Sequence, residues 1–435
     1  MNTKEYVEFK NYYIAIFSIN YLFQGIDQSL FAVIIPIYLI QFIGVLDASA
    51  LAFLGSFISL PWIFKVFFGI LGDKFGSKKF GRRRPWIITM VSFAGLMWII
   101  LGIPNIFTTA TAIPLFTFMG ILIFLGVAFG DTIIDGLVLD ICPKEKLGRT
   151  SGFNWGLRSV GAIAGGPALA VLVVIGALDV PSLFILIGIL TILSSLLTIF
   201  IKEPKVYPEV KIGTQLKDMF NNKRDFKTYL FSLFAAIVDA VAILIVSIFI
   251  LVKIGVLTST GTELSLPSGD VNIYLYNGYI TMIVSAGVVI GAIIGGQIAD
   301  HITRKLSVYL AYIMTTASLL LMLLPTIWPI LLFFASLIGL AIGWRHSSYA
   351  AVATAISKQH PEMDSTYYSL CNAFANLGST LGLTFTGVVL RLTASYLSVF
   401  LFVAIISNIG LLGFVLLNPK DYEHRLLDTE LDSQI

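Results

Sequence analysis

Apolar runs long enough to cross a lipid bilayer recur along the whole chain. A hydrocarbon core of about 30 Å requires about 20 consecutive apolar residues in a helix. The predicted spans are residues 12–43, 49–72, 85–104, 112–141, 150–177, 181–201, 228–256, 274–299, 306–324, 327–356, 365–390 and 395–417. The chain therefore favours an all-α integral membrane fold with twelve transmembrane helices.

Charged residues are too scarce to cover a surface that faces water. They make up 12% of the 435 residues, against about 25% in a soluble domain. The N-terminal segment mixes acidic and basic residues and has no small-residue cleavage site, so we expect the first span to remain in the mature protein. The two cysteines, Cys142 and Cys371, show no metal-ligand spacing, and we expect neither a metal nor a cofactor.

A polar segment with two prolines divides the spans into two groups of six. The predicted organisation is an N-terminal bundle (1–201), a cytoplasmic linker (202–227), a C-terminal bundle (228–417) and a cytoplasmic tail (418–435). Such pairs of six-helix units are typical of secondary transporters, with the binding site near the midplane between them.

The two halves share short motifs that indicate an internal repeat. Asp73 follows the second span as Asp300 follows the eighth, and a GxxxG pair occurs in both the fifth and the eleventh span. The glycines are Gly161, Gly165, Gly378 and Gly382. Small residues at this spacing let two membrane helices approach closely.

Lysines and arginines concentrate in alternate loops. They are Lys74, Lys78, Lys79, Arg82, Arg83, Arg84, Lys144, Lys146, Arg149, Arg304, Lys305 and Lys358, with more in the linker. The intervening loops hold acidic residues instead, apart from Arg391 near a helix end. This positive-inside pattern predicts cytoplasmic termini, and we expect a protein of the plasma (inner) membrane.

The segment GILGDKFGSKKFGRRRP after the second span resembles the signature loop of the major facilitator superfamily. Two further segments, PWIFKVFFGILGD and DTIID followed by PKEKLGR, are similar to muropeptide permeases, acetyl-CoA transporters and folate–biopterin transporters. FGRRRP also occurs in the sucrose-type sugar transporters, a related branch. The resemblance implies the major facilitator fold and transport by alternating access.

Eight charged or titratable residues are expected inside spans, where a charge costs about 2.5–3.5 kcal/mol to insert. They are Asp27, Lys65, Asp131, Asp135, Arg158, Asp239, Arg345 and His346. The resemblance implies that spans one, four, seven and ten surround a central cavity, and six of the eight lie on those spans. We therefore predict that the eight residues bind the substrate and the coupling ion.

Asp131 and Asp135 lie four residues apart, on one face of a helix. Two carboxylates in a low-dielectric site resist ionising together, which suits a proton site. The same pair, with Asp27 and a few carbonyls, also suits a sodium ion, because hard cations take oxygen ligands. Lys65 has two interpretations, a salt bridge to Asp131, Asp135 or Asp140 or direct substrate binding, and Arg158 has the same two interpretations.

Arg345 and His346 form a polar break in the tenth span. A guanidinium is suited to a carboxylate or phosphate on a substrate, and the alternative is an ion pair with Asp239 or another cavity acid. His346 is a candidate proton relay or a packing residue. Asn154, Trp155, Asn372 and Asn376 are further candidates for lining the cavity.

A second cluster is predicted at the cytoplasmic side, where it would act as a gate. It comprises Asp73, Gly76, Arg82, Arg83, Arg84 and Asp300. The carboxylate of Asp73 can meet the positive N-terminal end of a neighbouring helix and hold the inner side closed. Topology alone accounts for the arginines but not for the aspartate or the glycine.

These features favour a secondary transporter, acting as a monomer, for a polar, anionic or amphipathic organic solute, with proton coupling preferred to sodium. The alternatives are a sodium-coupled sugar-type symporter and a transporter-like assembly or sensor protein that carries nothing. No phosphate-binding GxxxxGK[ST] motif and no nucleophile–base arrangement occur, so the chain is not predicted to be an ATP-driven pump or an enzyme. No nucleic-acid partner is expected.

Overall fold

The computed structural model describes residues 8–77, 80–203, 220, 223–266, 272–359 and 364–423. Most of the predicted linker and the predicted tail beyond residue 423 lie outside these ranges. The chain divides into two compact units, residues 1–43 with 57–212 and residues 44–56 with 213–435.

The first unit is built from helices in a nearly unbroken series. They are α1 (Tyr12–Ser29), a π turn (Leu30–Ile34), α2 (Ile35–Ile43), a 3₁₀ turn (Leu60–Phe64), α4 (Lys65–Lys74), α5 (Arg84–Leu101), α6 (Ala112–Ile141), α7 (Lys144–Ile163), a second π turn (Ala164–Ala168), α8 (Leu169–Val174), α9 (Val180–Leu196) and a 3₁₀ turn (Leu197–Phe200). The second π turn contains Pro167, whose missing N–H and bulky ring disrupt regular α-helical bonding.

Helix α3 (Ala48–Ser59) begins in the second unit and ends in the first. The second unit continues with α10 (Lys223–Ala235), α11 (Asp239–Lys253), α12 (Ile273–His301), α13 (Arg304–Leu321), α14 (Trp328–Ser357), α15 (Asp364–Thr393), α16 (Tyr396–Ile406), α17 (Ile409–Val415) and a 3₁₀ turn (Pro419–Asp421).

All twelve predicted spans are helical, which confirms the all-α fold class. Ten helical segments of the described residues are long and apolar enough to cross a membrane. The predicted seventh span is instead interrupted, because α10 and α11 meet at a turn over residues 236–238. The predicted ninth span is α13, 18 residues long, which starts with Arg304 and Lys305.

A small antiparallel sheet was not anticipated from the sequence. Its strands are β1 (Val45–Asp47), β2 (Thr258–Thr260) and β3 (Glu263–Ser265), and β3 lies in the middle. Gly261 has a φ of +64°, which allows the short turn between β2 and β3. The strands lie in loops and leave the helical architecture unchanged.

The GxxxG glycines make the same helix crossing in each unit. A side chain at any of them would overlap a backbone carbonyl of the facing helix segment. The pairs are Gly161 with Leu22, Gly165 with Ile26, Gly378 with Leu233 and Gly382 with Ile237. Spans five and eleven therefore pack against spans one and seven at equivalent positions, and the glycines permit this close approach.

Candidate functional site

The first unit brings together four of the charges predicted from the sequence. Lys65 Nζ lies 2.5 Å from Asp131 Oδ2 and 3.9 Å from Asp135 Oδ2. Arg158 Nη1 lies 3.9 Å from Asp131 Oδ1. With all four groups ionised, two cations balance two anions. We call Lys65, Asp131, Asp135 and Arg158 the four-charge cluster.

Local structure positions these side chains. Pro61 is the second residue of the 3₁₀ turn that precedes α4, and Lys65 is the first residue of that helix. Asp131 and Asp135 lie one turn apart near the end of α6, while Arg158 comes from α7. Three different helices thus supply the cluster, and each is held by the packing of the bundle.

The two acids of the cluster differ in the exposure of their side chains. The side chain of Asp131 is 2% exposed and that of Asp135 is 51% exposed. The hydroxyl of Tyr21 donates a hydrogen bond to Asp135 Oδ1. Asp131 Oδ1 is buried and has no hydrogen-bond partner among the described residues. Asp131 is therefore the buried acid beside the two cations, and Asp135 is the more exposed of the two acids.

Aromatic rings border the cations of the cluster. The guanidinium carbon of Arg158 lies 5.4 Å from the ring centroid of Trp62 and 4.9 Å from that of Trp155. Lys65 Nζ lies 5.5 Å from the Trp62 centroid. These are cation–π distances, which favour the charged form and orient it. Trp155 is 59% exposed and presents a ring face beside Arg158.

Sequence reasoning missed Tyr21 and Trp62 and named Trp155 only as a candidate lining residue. Trp62 lies three residues before Lys65 in PWIFK, and that short spacing was the available signal. Tyr21 precedes Asp27 on the first span and has no sequence motif of its own.

Asp27 is separate from the four-charge cluster. It is 1% exposed, and Trp98 Nε1 donates to its Oδ1 over 2.8 Å. Trp98 belongs to α5, so Asp27 faces the third span. Among the described residues no lysine, arginine or histidine forms an ion pair with it. Asp27 is therefore held by the indole N–H of Trp98 and not by a basic side chain of the described residues.

In the second unit, Asp239 and His346 form a pair. His346 Nε2 lies 2.9 Å from Asp239 Oδ2, and the histidine side chain is 49% exposed. Asp239 is the first residue of α11, directly after the break in the seventh span. Interrupted helices of this kind line binding sites in transporters, because irregular backbone in a membrane must be satisfied by protein or by a water-filled cavity.

Arg345 points elsewhere and is 1% exposed. Its Nε donates to Ala235 O over 2.8 Å, and its Nη2 donates to Phe234 O over 2.6 Å and Ser407 O over 3.0 Å. These carbonyls lie at two interrupted helices, the end of α10 and the end of α16. The guanidinium also stacks on Tyr312, 3.8 Å from the ring centroid.

The structure thus places Arg345 on backbone carbonyls, and Asp239 meets His346 instead. Carbonyls released by a helix break need donors inside a membrane protein, and a guanidinium supplies several from one side chain. Neighbouring helix residues point about 100° apart, which explains why Arg345 and His346 reach different surroundings.

The predicted gate residues of the first half form a network. Arg83 Nη2 lies 2.8 Å from Asp73 Oδ1 and its Nε contacts Asp140, while Arg82 Nη2 lies 3.0 Å from Asp140 Oδ2. Gly76 lets the loop fold back, because a side chain there would overlap the backbone of Arg82. The role of this network as a gate stays a prediction.

Glu203 is a member of this network that sequence reasoning missed. Its buried carboxylate accepts hydrogen bonds from the backbone N–H groups of Arg82, Arg83 and Arg84 at 2.8, 2.9 and 2.6 Å. These groups open α5, where a helix N-terminus favours a negative charge. The carboxylate therefore anchors the end of the sixth span to the start of the third.

The second unit repeats this anchor. Glu423 accepts from the backbone N–H groups of Arg304 and Lys305 at 3.2 and 2.7 Å. Glu423 lies 220 residues after Glu203, and Arg304 lies 220 residues after Arg84. Asp300, the predicted counterpart of Asp73, is exposed.

The family model described as Major Facilitator Superfamily matches the chain twice, over residues 17–269 and 230–432. The chain belongs to the Major Facilitator Superfamily. This membership confirms the predicted family and the predicted fold of an integral membrane protein.

Relatives within the superfamily are distant. The chain is 25% identical to the "Putative transporter AmpG 1" of Rickettsia conorii over 276 residues, which cover 59% of this chain and 62% of that protein. It is 32% identical to the "Folate-biopterin transporter" of Synechocystis over 157 residues, 30% of this chain and 29% of that one. The chain thus spans less than two thirds of the curated relatives it matches.

Among solved structures, a single-site mutant of the nucleoside transporter NupG has a TM-score of 0.71 with 12% identity, covering 92% of this chain and 99% of that one. At this identity the likeness shows the Major Facilitator fold alone.

Proposed function

We propose that this Major Facilitator Superfamily protein is a proton-coupled transporter of a polar, anionic or amphipathic organic solute. The observation that carries the proposal is the four-charge cluster, in which the half-exposed Asp135 shares Lys65 with the buried Asp131. The cluster combines an anchored acid, an accessible acid and two cations on three helices.

Charge balance links the solute to the proton. The four-charge cluster is neutral when all its groups are ionised, so an anionic solute adds one uncompensated charge at low dielectric. A proton on Asp135 restores neutrality and frees Lys65 to face the solute. Arg158 offers a carboxylate or phosphate its planar donors, and the exposed ring of Trp155 offers apolar surface.

The same balance favours a proton over sodium at this cluster. Lys65 and Arg158 already neutralise the two acids, and a sodium ion would add a positive charge. We further propose a monomer in the plasma membrane with cytoplasmic termini, from the positive-inside pattern. The Asp239–His346 pair supplies a second titratable group on a proposed cavity helix.

The test is uptake into proteoliposomes that hold the purified full chain and a pH-sensitive dye. The first solutes tested are folate and biopterin, which appear in the name of one relative. Other anionic solutes, amphipathic solutes and neutral sugars complete the panel. We expect an inwardly directed proton gradient, with the outside more acidic, to drive accumulation of an anionic or amphipathic solute inside the liposomes. Protons should enter together with the solute. Stimulation by sodium at constant pH would favour the sodium-coupled alternative, and no uptake of any solute would favour a non-transporting protein.

A further inference from the structure

We infer that Asp27 is the charged ligand of a monovalent-cation site, fitted to sodium, buried among α1, α5 and α9. The inference goes beyond the proposed transport function, because such a site would stabilise the protein whether or not a solute is carried. It concerns a part of the first unit that is separate from the four-charge cluster.

The charge of Asp27 lacks a cationic partner in the described part of the chain. Its carboxylate is 1% exposed, and among the described residues its contact is the single indole N–H of Trp98. One neutral donor does not offset the desolvation of a carboxylate. The acids of the four-charge cluster lie beside Lys65 and Arg158, so Asp27 differs from them by having no cation beside it.

Neutral oxygens without donors lie on the same helix face as Asp27. Asn20, Gln24 and Asp27 lie at positions i, i+4 and i+7 of α1, which share one face. Asn20 Oδ1 and Gln24 Oε1 are buried acceptors with no hydrogen-bond partner in the described part of the chain. The two residues are 3% and 5% exposed. Buried polar atoms normally find a partner, so these oxygens point to a missing one.

A third oxygen comes from the facing helix. Asn20 Nδ2 donates to Ser194 O over 3.2 Å, so this face of α1 packs against α9. The first and sixth spans run in opposite directions. The residue one turn after Asn20 on α1 therefore lies level with the residue one turn before Ser194 on α9. Gln24 and Thr191 occupy these places, and the buried Thr191 Oγ1 also lacks a partner among the described residues.

The spacing of Gln24 and Asp27 along the axis of α1 suits one ion near Asp27. Three residues separate Gln24 from Asp27, a rise of about 4.5 Å along a helix, which two ligands can bridge. Asn20 lies about 10 Å from Asp27 on the same scale, at the N-terminal end of this row of polar residues. Asp27, Gln24 and Thr191 are therefore the ligands we assign, with Asn20 next to them.

The ligand set selects a monovalent hard cation. One carboxylate supplies one negative charge, and the other ligands are neutral oxygens, which hard cations prefer. Among the residues that the structure describes, no group of three His, Cys, Asp or Glu side chains assembles for a divalent or transition metal. A proton on Asp27 would balance the charge, but its single O–H donor could pair with only one of the two oxygens of Gln24 and Thr191, whereas a cation can be bound by both.

Thermal unfolding of the purified full chain in detergent tests the site without a solute. Sodium chloride is titrated against choline chloride at constant ionic strength and constant pH. We expect the Tm to rise by a few degrees and to saturate, because an ion that binds only the folded state stabilises it by mass action. Asp27→Asn should abolish the rise. Gln24→Leu and Thr191→Val should move its midpoint to at least tenfold higher sodium.

Asp135→Asn is the matched control, since it removes a carboxylate from the same unit but from the four-charge cluster. It should keep the sodium response. If Asp27→Asn does not fold, Gln24→Leu and Thr191→Val still decide the matter. Equal Tm values in sodium and choline for the unsubstituted protein would overturn the inference, and so would a response that survives Asp27→Asn or disappears in Asp135→Asn. None of these results depends on proton-coupled transport.

Discussion

Each unit buries a cation, and the two are surrounded by different chemistry. Lys65 of the first unit meets two carboxylates, one of them half exposed. Arg345 of the second unit meets three backbone carbonyls and the ring of Tyr312, and it is 1% exposed. A carboxylate can take up a proton, whereas a backbone carbonyl cannot. The surroundings of Lys65 can therefore change charge, and those of Arg345 cannot.

The difference teaches that the cost of inserting a charge into a membrane does not identify its role. Both residues carry that cost. One is offset by groups that can exchange partners with a solute, and the other by carbonyls that two interrupted helices leave open. The anionic-solute proposal therefore rests on Arg158 and Lys65, and Arg345 is a structural residue in our proposal.

The largest expected effect is loss of folded protein on Arg345→Ala. Three carbonyls would lose their donor, and each unpaired buried group costs about 1–3 kcal/mol. We expect little monodisperse protein in size-exclusion chromatography. His346→Ala is the matched control, because His346 is the next residue in the chain and its side chain is half exposed. This variant should fold. Normal folding of Arg345→Ala with lost solute binding would return Arg345 to the binding site.

The next effect tests whether Lys65 and Asp131 act as a pair. Lys65→Met alone should destabilise the protein by about 3–5 kcal/mol, because it leaves a buried carboxylate without its main partner. The double variant Lys65→Met with Asp131→Asn should recover most of that Tm loss but no transport. Full stability of the single variant would show that Arg158 suffices for Asp131.

A smaller effect on stability, with a large effect on coupling, is expected for Asp135→Asn. The amide cannot carry the proton, yet it can still accept the hydrogen bond of Tyr21. Downhill solute exchange should continue, while uptake should lose its response to a pH gradient. Tyr21→Phe, which keeps the carboxylate, should retain the response. A normal pH response in Asp135→Asn would exclude this acid as the proton carrier.

The smallest effect is expected away from Lys65 and Arg345, at the predicted cytoplasmic network around Asp73. Asp73→Asn weakens the ion pairs with Arg82 and Arg83 and leaves the four-charge cluster intact. Transport should slow by about tenfold or less, which corresponds to about 1.4 kcal/mol or less in the barrier, with solute affinity unchanged. A matching loss of affinity in a binding assay would contradict a gate role.

Much of this architecture follows from local pattern. Run length and charge placement predict the helices, and the i, i+4 spacing predicts the shared face of Asp131 and Asp135. The same reasoning gave a salt bridge to Asp131, Asp135 or Asp140 as one of two interpretations of Lys65, and the structure shows contacts with Asp131 and Asp135.

The sequence patterns did not predict which way each side chain points around its helix. Arg345 and His346 are adjacent in sequence, and the carbonyls that Arg345 meets come from the breaks after α10 and after α16. Glu203 was hidden for a related reason, since its partners are backbone N–H groups, which carry no side-chain signature. The β1–β3 pairing joins residues more than 200 positions apart, and short polar loops give no pattern that selects such partners.

The recurrence of Glu203 as Glu423 bears on how such a chain arises. Each half has, just after its sixth span, a carboxylate that holds the start of its own third span. A gene for one such half can be duplicated and fused without a new terminal contact for either copy. Divergence of the two interiors, one toward exchangeable charges and one toward a fixed guanidinium, then proceeds while both ends stay tied.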